Sequence, residues 1–270
     1  MPAASIKDQL DDLYHTFDVS MLSPDPLQVV RTFHTPEDRE VAGIIAASLA
    51  YGRVELIIKA LEEVFQLMDN QPYRFTMAFD LNRDAGRFDG FVYRLSRGRD
   101  IVALILMLQK MLRESGRLGA AFLDGFDAND RDTGEAMTGF VERLLDYPRE
   151  LPYSGGCLPE RGGVRYFLPS PRSGSACKRL NLFVRWMVRN GPDGIDLGLW
   201  PEIPTSKLII PVDTHIARLA RAIGLTGRKQ PDWKMAAEIT DALRRFDPDD
   251  PVKYDFALCH WGMRQVRGLE

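Results

Sequence analysis

Cysteine and histidine are scarce in this chain, at three and four among 270 residues. Cys157, Cys177 and Cys259 are widely spaced, odd in number and form no Cys-x-x-Cys pair. That excludes a disulfide scaffold and argues against a zinc or iron–sulfur site, so neither a metal nor a cofactor is expected. The same usage points to a reducing, cytoplasmic setting. Long apolar runs are missing too. The longest, Ile101 to Leu108, is too short to cross a bilayer, so no membrane partner is expected. The opening MPAASIKDQLDDLYH is acidic and has no apolar stretch of the secretory kind. Alternating strand patterns are absent, and only Lys207 to Val212 reads as a short extended piece.

What is present is ordinary in bulk: 45% hydrophobic and 27% charged residues, enough for one large core or two smaller ones. The charge is unevenly spread. Residues 1–160 hold 17 basic against 26 acidic side chains, a balance of −9, while residues 161–234 hold 13 against 5, a balance of +8. A basic window in an acidic protein is a candidate phosphate-facing surface, or simply a solvated face.

Helical signals run through the chain. Thr35-Pro36-Glu37-Asp38 is a helix start, with a capping hydroxyl, proline at the first position and carboxylates at the positive end of the dipole. That helix is expected to run to Tyr51. Val54, Ile57, Ile58, Leu61, Val64, Phe65 and Met68 form the stripe of a second. Asp100 to Leu112 and Thr133 to Leu145 read as two more. Residues 148–174, rich in proline and glycine, are the best boundary in the chain.

Two later segments carry the chemistry. In Ser173-Gly174-Ser175-Ala176-Cys177-Lys178-Arg179, either serine could cap a helix whose buried stripe is Ala176, Leu180, Phe183, Val184 and Met187. Lys178, Arg185 and Arg189 share another face of it. A serine- and glycine-containing turn before a helix offers backbone N–H groups to an anion. In Pro211-Val212-Asp213-Thr214-His215-Ile216, Asp213 stands at a helix N-cap, where capping alone contributes about 1 kcal/mol.

The stretch VDTHIARLARAIGL is similar to the segment that carries the catalytic aspartate in the helix-hairpin-helix (HhH-GPD) DNA glycosylase superfamily. DREVAGIIAASLAYGRVELIIK resembles that superfamily's early helix-turn-helix, and FALCHWG its late helix, without the iron–sulfur cysteines of some members. More closely, GSACKRLNLFVRWMVR, LIIPVDTHIARLARAIGLTGRK and DPDDPVKYDFALCH resemble a bacterial family of uncharacterised proteins related to it. The resemblance implies a single all-α unit over 1–270, folded as two helical lobes with a cleft between them. One lobe would be a bundle over about 36–150, the other about 1–35 plus 165–270 with a hairpin-like turn. It also implies that Asp213 and, as nucleophile, Lys178 face the cleft.

On that resemblance the expected activity is DNA-base excision, with abasic-site cleavage through a lysine Schiff base. DNA is the expected partner, with RNA open, and the oligomeric state is left undecided. Arg172, Ser173, Gly174, Ser175, Arg179, Arg185, His215, Arg218 and Arg221 are the candidate nucleic-acid contacts, joined by Arg228 and Lys229. Tyr51, Phe183 and Trp186 are candidates for holding a flipped base, as are Trp200 and Trp261, although core packing is the plainer role for each. A lysine nucleophile must lose its proton, so its pKa, ordinarily about 10.4, is expected to be lowered by Arg179 and the helix end. Lys207, six residues before Asp213, is the rival nucleophile.

The sequence departs from the superfamily pattern in several places. Lys178 precedes Asp213 by 35 residues, so Gly191 to Pro211 must loop out. The turn reads PSPRSGSACK, and Ser48-Leu49-Ala50-Tyr51 lacks a glutamine. Two alternatives stand beside excision: a noncatalytic DNA- or RNA-binding protein on the same fold, and an enzyme of unknown reaction on another nucleic-acid or nucleotide substrate.

Overall fold

Helices make up nearly all the regular structure in the computed structural model, which describes residues 5–147 and 150–259. The chain divides into two units: unit 1 holds Met1–Ser23, Ala128–Gly134 and Ser170–Glu270, and unit 2 holds Pro24–Asp127 and Glu135–Pro169. Helix α1 (Ile6–Tyr14) of unit 1 is closed by a Ser5/Asp8 capping box.

Unit 2 is built on α2 (Leu27–Val30), α3 (Pro36–Leu49), α4 (Val54–Leu67), α5 (Pro72–Ala78) and α6 (Leu81–Asp84). A two-stranded hairpin of β1 (Val92–Tyr93) and β2 (Ser96–Arg97) follows, then α7 (Gly98–Ser115), α8 (Leu118–Leu123) and α9 (Gly134–Leu145), whose first residue falls in unit 1. Thr35 caps α3 as its sequence indicates, and Asp38 Oδ1 also accepts the Tyr73 N–H at 3.0 Å, tying α3 to the start of α5. Every residue of α3 from Glu40 to Leu49 is buried, so this helix is the axis of the unit, packed by α2, α4, α5 and α8. Glu40 is buried without stranding its charge: Arg117 donates to Oε1 at 2.8 Å and the Leu118 N–H to Oε2 at 3.0 Å, where it caps α8. Asp100 is at the third residue of α7 rather than before it, and it accepts the Arg97 N–H at 2.8 Å.

The C-terminal end of α5 is closed from α7. Gln109, 5% exposed, donates from Nε2 to Thr76 O at 2.9 Å and Phe79 O at 2.8 Å. Replacing it by leucine leaves both carbonyls without that donor, so Gln109→Leu is expected to lower stability by about 2–4 kcal/mol in urea unfolding. A loss below about 0.5 kcal/mol would show that the carbonyls find another partner.

Unit 1 contains α1, α10 (Lys178–Val188), α11 (Thr214–Ala222) and α12 (Trp233–Arg244), and the described chain ends in a helical turn at 255–259. Its Gly191–Pro211 connection has no helix or strand apart from a 3₁₀ turn at Thr205–Lys207; the expected extended piece at Lys207 to Val212 forms no strand. The connection folds back on α10, with Leu197 and Trp200 N–H donating to Trp186 and Met187 carbonyls at 2.8 and 2.9 Å. Gly134 lies under Trp233, where a Cβ would stand 2.7 Å from the indole, so no larger residue fits there. Among the described residues no helix is long and apolar enough to cross a membrane.

Candidate functional site

Two helix starts meet in unit 1. Asp213 is the N-cap of α11, and its Oδ1 accepts the His215 and Ile216 N–H groups, both at 2.9 Å. Lys178 opens α10, and its Nζ donates to the other oxygen, Asp213 Oδ2, at 3.0 Å. Thus residues 35 apart in sequence share one ion pair, and both carboxylate oxygens are occupied. The side chains are 36% and 27% exposed, so solvent reaches the pair. A lysine in the first turn of a helix is on the wrong end of the dipole, and Asp213 offsets that placement.

The turn before α10 differs from its sequence expectation. Pro171–Ser173 forms a short 3₁₀ turn, capped by Ser170 and ended by Gly174 in the left-handed region (φ 78°). The N-cap is Cys177, itself left-handed at φ 48°, and neither serine side chain caps α10. Ser175 Oγ accepts the Cys177 N–H at 3.1 Å, one residue too early. The Ser175–Asp232 bridge and the Trp233 N–H to Gly174 O bond (3.2 Å) fasten the turn to the start of α12. Ser173 and Gly174 N–H groups are spent on Ser170 and Pro171 carbonyls, so they are not offered to an anion. The Cys177 thiol is pushed up to about 12 by burial and is no nucleophile.

The electrostatics of the pair reverse one expectation. Burial pulls the Lys178 pKa down, but the charge and hydrogen bond of Asp213 outweigh it, and the value rises above the ordinary lysine range. Asp213 moves the other way: burial pushes it up, while Lys178 and the backbone N–H groups bring it below the usual carboxylate value. The stability Asp213 lends is present above its unfolded value of about 3.9 and fades as pH falls through its lowered native value. The contribution of Lys178 is complete below about 10.4 and fades as pH rises through its raised native value. The pair is therefore charged at neutral pH.

Arg185 is not available to a phosphate. It is 3% exposed and bonded through Nε to Asp196 (3.2 Å) and through its guanidinium to Asp255. Arg189, 1% exposed, is bonded to Asp193 (2.7 Å), Asp196 (3.1 Å) and Asp250 (2.8 Å). These two arginines face buried carboxylates, not solvent. Phe183 and Trp186 are core side chains at 0% and 2% exposure, and Phe183 meets the buried Trp200 edge-on at 5.3 Å. With their faces covered, they have none to offer a base. Tyr51 is half-buried in unit 2, its hydroxyl 2.7 Å from Ser96 Oγ. His260 and Trp261 of the FALCHWG stretch lie outside the described residues.

Of the remaining expected contacts, Arg172, Ser173, Gly174, His215, Arg218 and Arg221 are exposed, and Ser175 and Arg179 are half-buried. Arg221 donates to Lys229 O at 2.9 Å, and Arg228 is engaged with Asp232 at 3.0 Å. Lys207 donates to the carbonyl of Asp130 at 2.5 Å. One residue that sequence reasoning missed is Asp255. It is buried, bonded to Arg185, and its charge raises the Lys178 pKa, while the Asp213 charge raises its own. Burial raises its pKa, although Arg185 and Lys178 oppose that. The Cys259 thiol points at its Oδ1 at 4.0 Å. No group of three or more His, Cys, Asp or Glu side chains among the described residues could hold a metal ion.

Comparison with curated proteins finds no match. No solved structure matches either. The family described as "Protein of unknown function (DUF2400)" matches residues 25–264, a span that includes Lys178, Asp213 and Asp255, and the chain belongs to that family.

Proposed function

We propose that this protein excises bases from DNA through Lys178 and Asp213, and cleaves the resulting abasic site through a Schiff base on Lys178. The observation that carries the reading is the 3.0 Å bond from the Lys178 amine to Asp213 across 35 residues. It is joined by the resemblance of VDTHIARLARAIGL to the catalytic segment of the HhH-GPD glycosylases. At neutral pH the pair rests in its charged form. A substrate covering it would remove water from both groups, which favours their neutral forms. The proton then has a path along the existing hydrogen bond from Nζ to Oδ2.

The C1′–N bond breaks with its electron pair leaving on the base while Asp213 is still ionised and stabilises the cation-like sugar; the lysine proton passes to Oδ2 as the amine closes on C1′. The neutral amine forms the new bond to C1′ and gives its second proton to the departing base; the C1′–O4′ bond then breaks, O4′ taking the proton held on Asp213, and leaves the iminium from which a strand can be eliminated. The exposed Arg172, Arg218 and Arg221 supply phosphate contacts. One observation favours a second reading, binding without chemistry: the resting pair holds the amine protonated, and a protonated amine attacks nothing.

Borohydride reduction on duplex DNA carrying an abasic site tests the proposal. The wild-type protein is expected to give a covalent adduct that Lys178→Ala loses and Lys207→Ala keeps. An adduct that survives Lys178→Ala overturns the assignment. Salt-sensitive binding with neither adduct nor base release favours the second reading.

A further inference from the structure

The hairpin of unit 2 has no part in the chemistry above, yet it carries the two most exposed large apolar side chains among the described residues: Leu95 at 74% and Val92 at 60%. The hairpin is short, pairing Val92 with Arg97 and Tyr93 with Ser96, so Arg94 and Leu95 form its tip. Such a tip would be floppy if it stood alone, but this one is braced from behind. The Tyr51 hydroxyl donates to Tyr93 O at 3.1 Å and is 2.7 Å from Ser96 Oγ, and the Tyr93 hydroxyl bonds Tyr51 O in return. Arg97 donates to Arg94 O at 2.9 Å across the tip. Arg94 is held left-handed at φ 49°, with its side chain over Gly52, where an added Cβ would meet it at 3.0 Å.

The charge on the hairpin itself has one sign, with exposed Asp89 just before it. Between Gly90 and Arg99 the sequence holds Arg94, Arg97 and Arg99 with no acidic residue, inside the 1–160 stretch whose balance is −9. All three arginines are exposed. The neighbouring Asp100 is buried and turned inward to the Arg97 N–H. Arg53 is also exposed beside Glu55, which it meets at 3.6 Å. Two exposed aliphatic side chains on a braced hairpin that also carries exposed Arg94 and Arg97 match a nucleic-acid duplex, while the Arg99 guanidinium lies over the Tyr153 ring at 5.9 Å: phosphates take the hairpin arginines, and a base step takes the apolar wedge. We infer that the β1–β2 hairpin is a nucleic-acid wedge, with Leu95 entering the base stack and Arg94 and Arg97 on the flanking phosphates. This deepens the DNA reading above and rests on it for the choice of partner. A membrane surface would also take apolar and basic groups, and it is the competing occupant.

The test uses the full chain and a duplex carrying 2-aminopurine beside a tetrahydrofuran abasic analogue, whose fluorescence rises when its neighbours unstack. Wild-type protein is expected to raise the signal. Leu95→Ala abolishes the rise and weakens binding about tenfold, the loss of one buried leucine contact. Arg94→Ala and Arg97→Ala each lower the slope of log affinity against log salt by about one. Leu95 is exposed, so an unchanged melting temperature verifies that the variant folds. If duplex binding and the Lys178 adduct persist while Leu95→Ala leaves fluorescence and affinity unchanged, the wedge is overturned and the excision reading stands. If the Leu95-dependent signal appears with no adduct, the wedge stands and the chemistry falls. Leu95-dependent binding to mixed zwitterionic and anionic vesicles, without duplex unstacking, overturns the wedge in favour of a lipid surface.

Discussion

Asp213→Asn is expected to cut base excision by about 10²–10⁴-fold while leaving the fold in place. Asparagine caps a helix as well as aspartate does, so His215 and Ile216 keep their acceptor and α11 its start. What disappears is the charge. Without it, nothing at that position stabilises a cation-like sugar or takes the lysine proton. The same change has an opposite effect on the second half of the reaction. Asp213 is the main group raising the Lys178 pKa, while burial lowers it. Removing the carboxylate leaves burial in command, so the lysine pKa falls and a larger share of the amine is neutral at a given pH. On a preformed abasic site, where no glycosidic bond remains to break, adduct formation by Asp213→Asn should therefore move to lower pH than in wild type. Excision within about tenfold of wild type, or an adduct profile that does not move, would contradict the roles given to the pair.

Arg189→Met is expected to destabilise unit 1 by about 3–5 kcal/mol, the cost of stranding buried charge. Arg189 is 1% exposed and is the shared cation of Asp193, Asp196 and Asp250. The pH dependence distinguishes stranded charge from lost packing. With the guanidinium gone, burial lifts Asp193 and Asp250 above their unfolded values, so the native state binds more protons than the unfolded state. Stability of the variant then rises as pH falls toward the raised values, and urea midpoints at pH 5 and pH 8 draw closer to wild type at the lower pH. A deficit equal at both pH values would mean that methionine merely packs badly.

The local grammar of unit 2 was readable where a helix start or stripe is written in a few adjacent residues. Thr35-Pro36-Glu37-Asp38 caps α3, and the stripe from Val54 marks α4 with its end misjudged by one residue. Periodicity fails for the arginines of α10. It shows that Arg185 and Arg189 share a face, but not that buried carboxylates from residues 193, 196 and 255 and the part-buried Asp250 wait there. Those partners come from other segments and carry no local signal. The β1–β2 hairpin is hidden for another reason. Its turn places Arg94 in the left-handed region, where glycine or asparagine would have announced it, and the strands are too short to alternate. Asp255 is likewise silent: only burial beside Arg185 distinguishes it from the other aspartates of the segment.

Peptide mapping of the borohydride-reduced adduct tests the central claim most directly. After digestion of protein and DNA, the sugar remnant is expected on the peptide containing Lys178, and on no other lysine. A remnant on Lys207 or elsewhere, or DNA bound and bases released with no lysine modified, would contradict the pairing of Lys178 with Asp213 as the working centre of this protein.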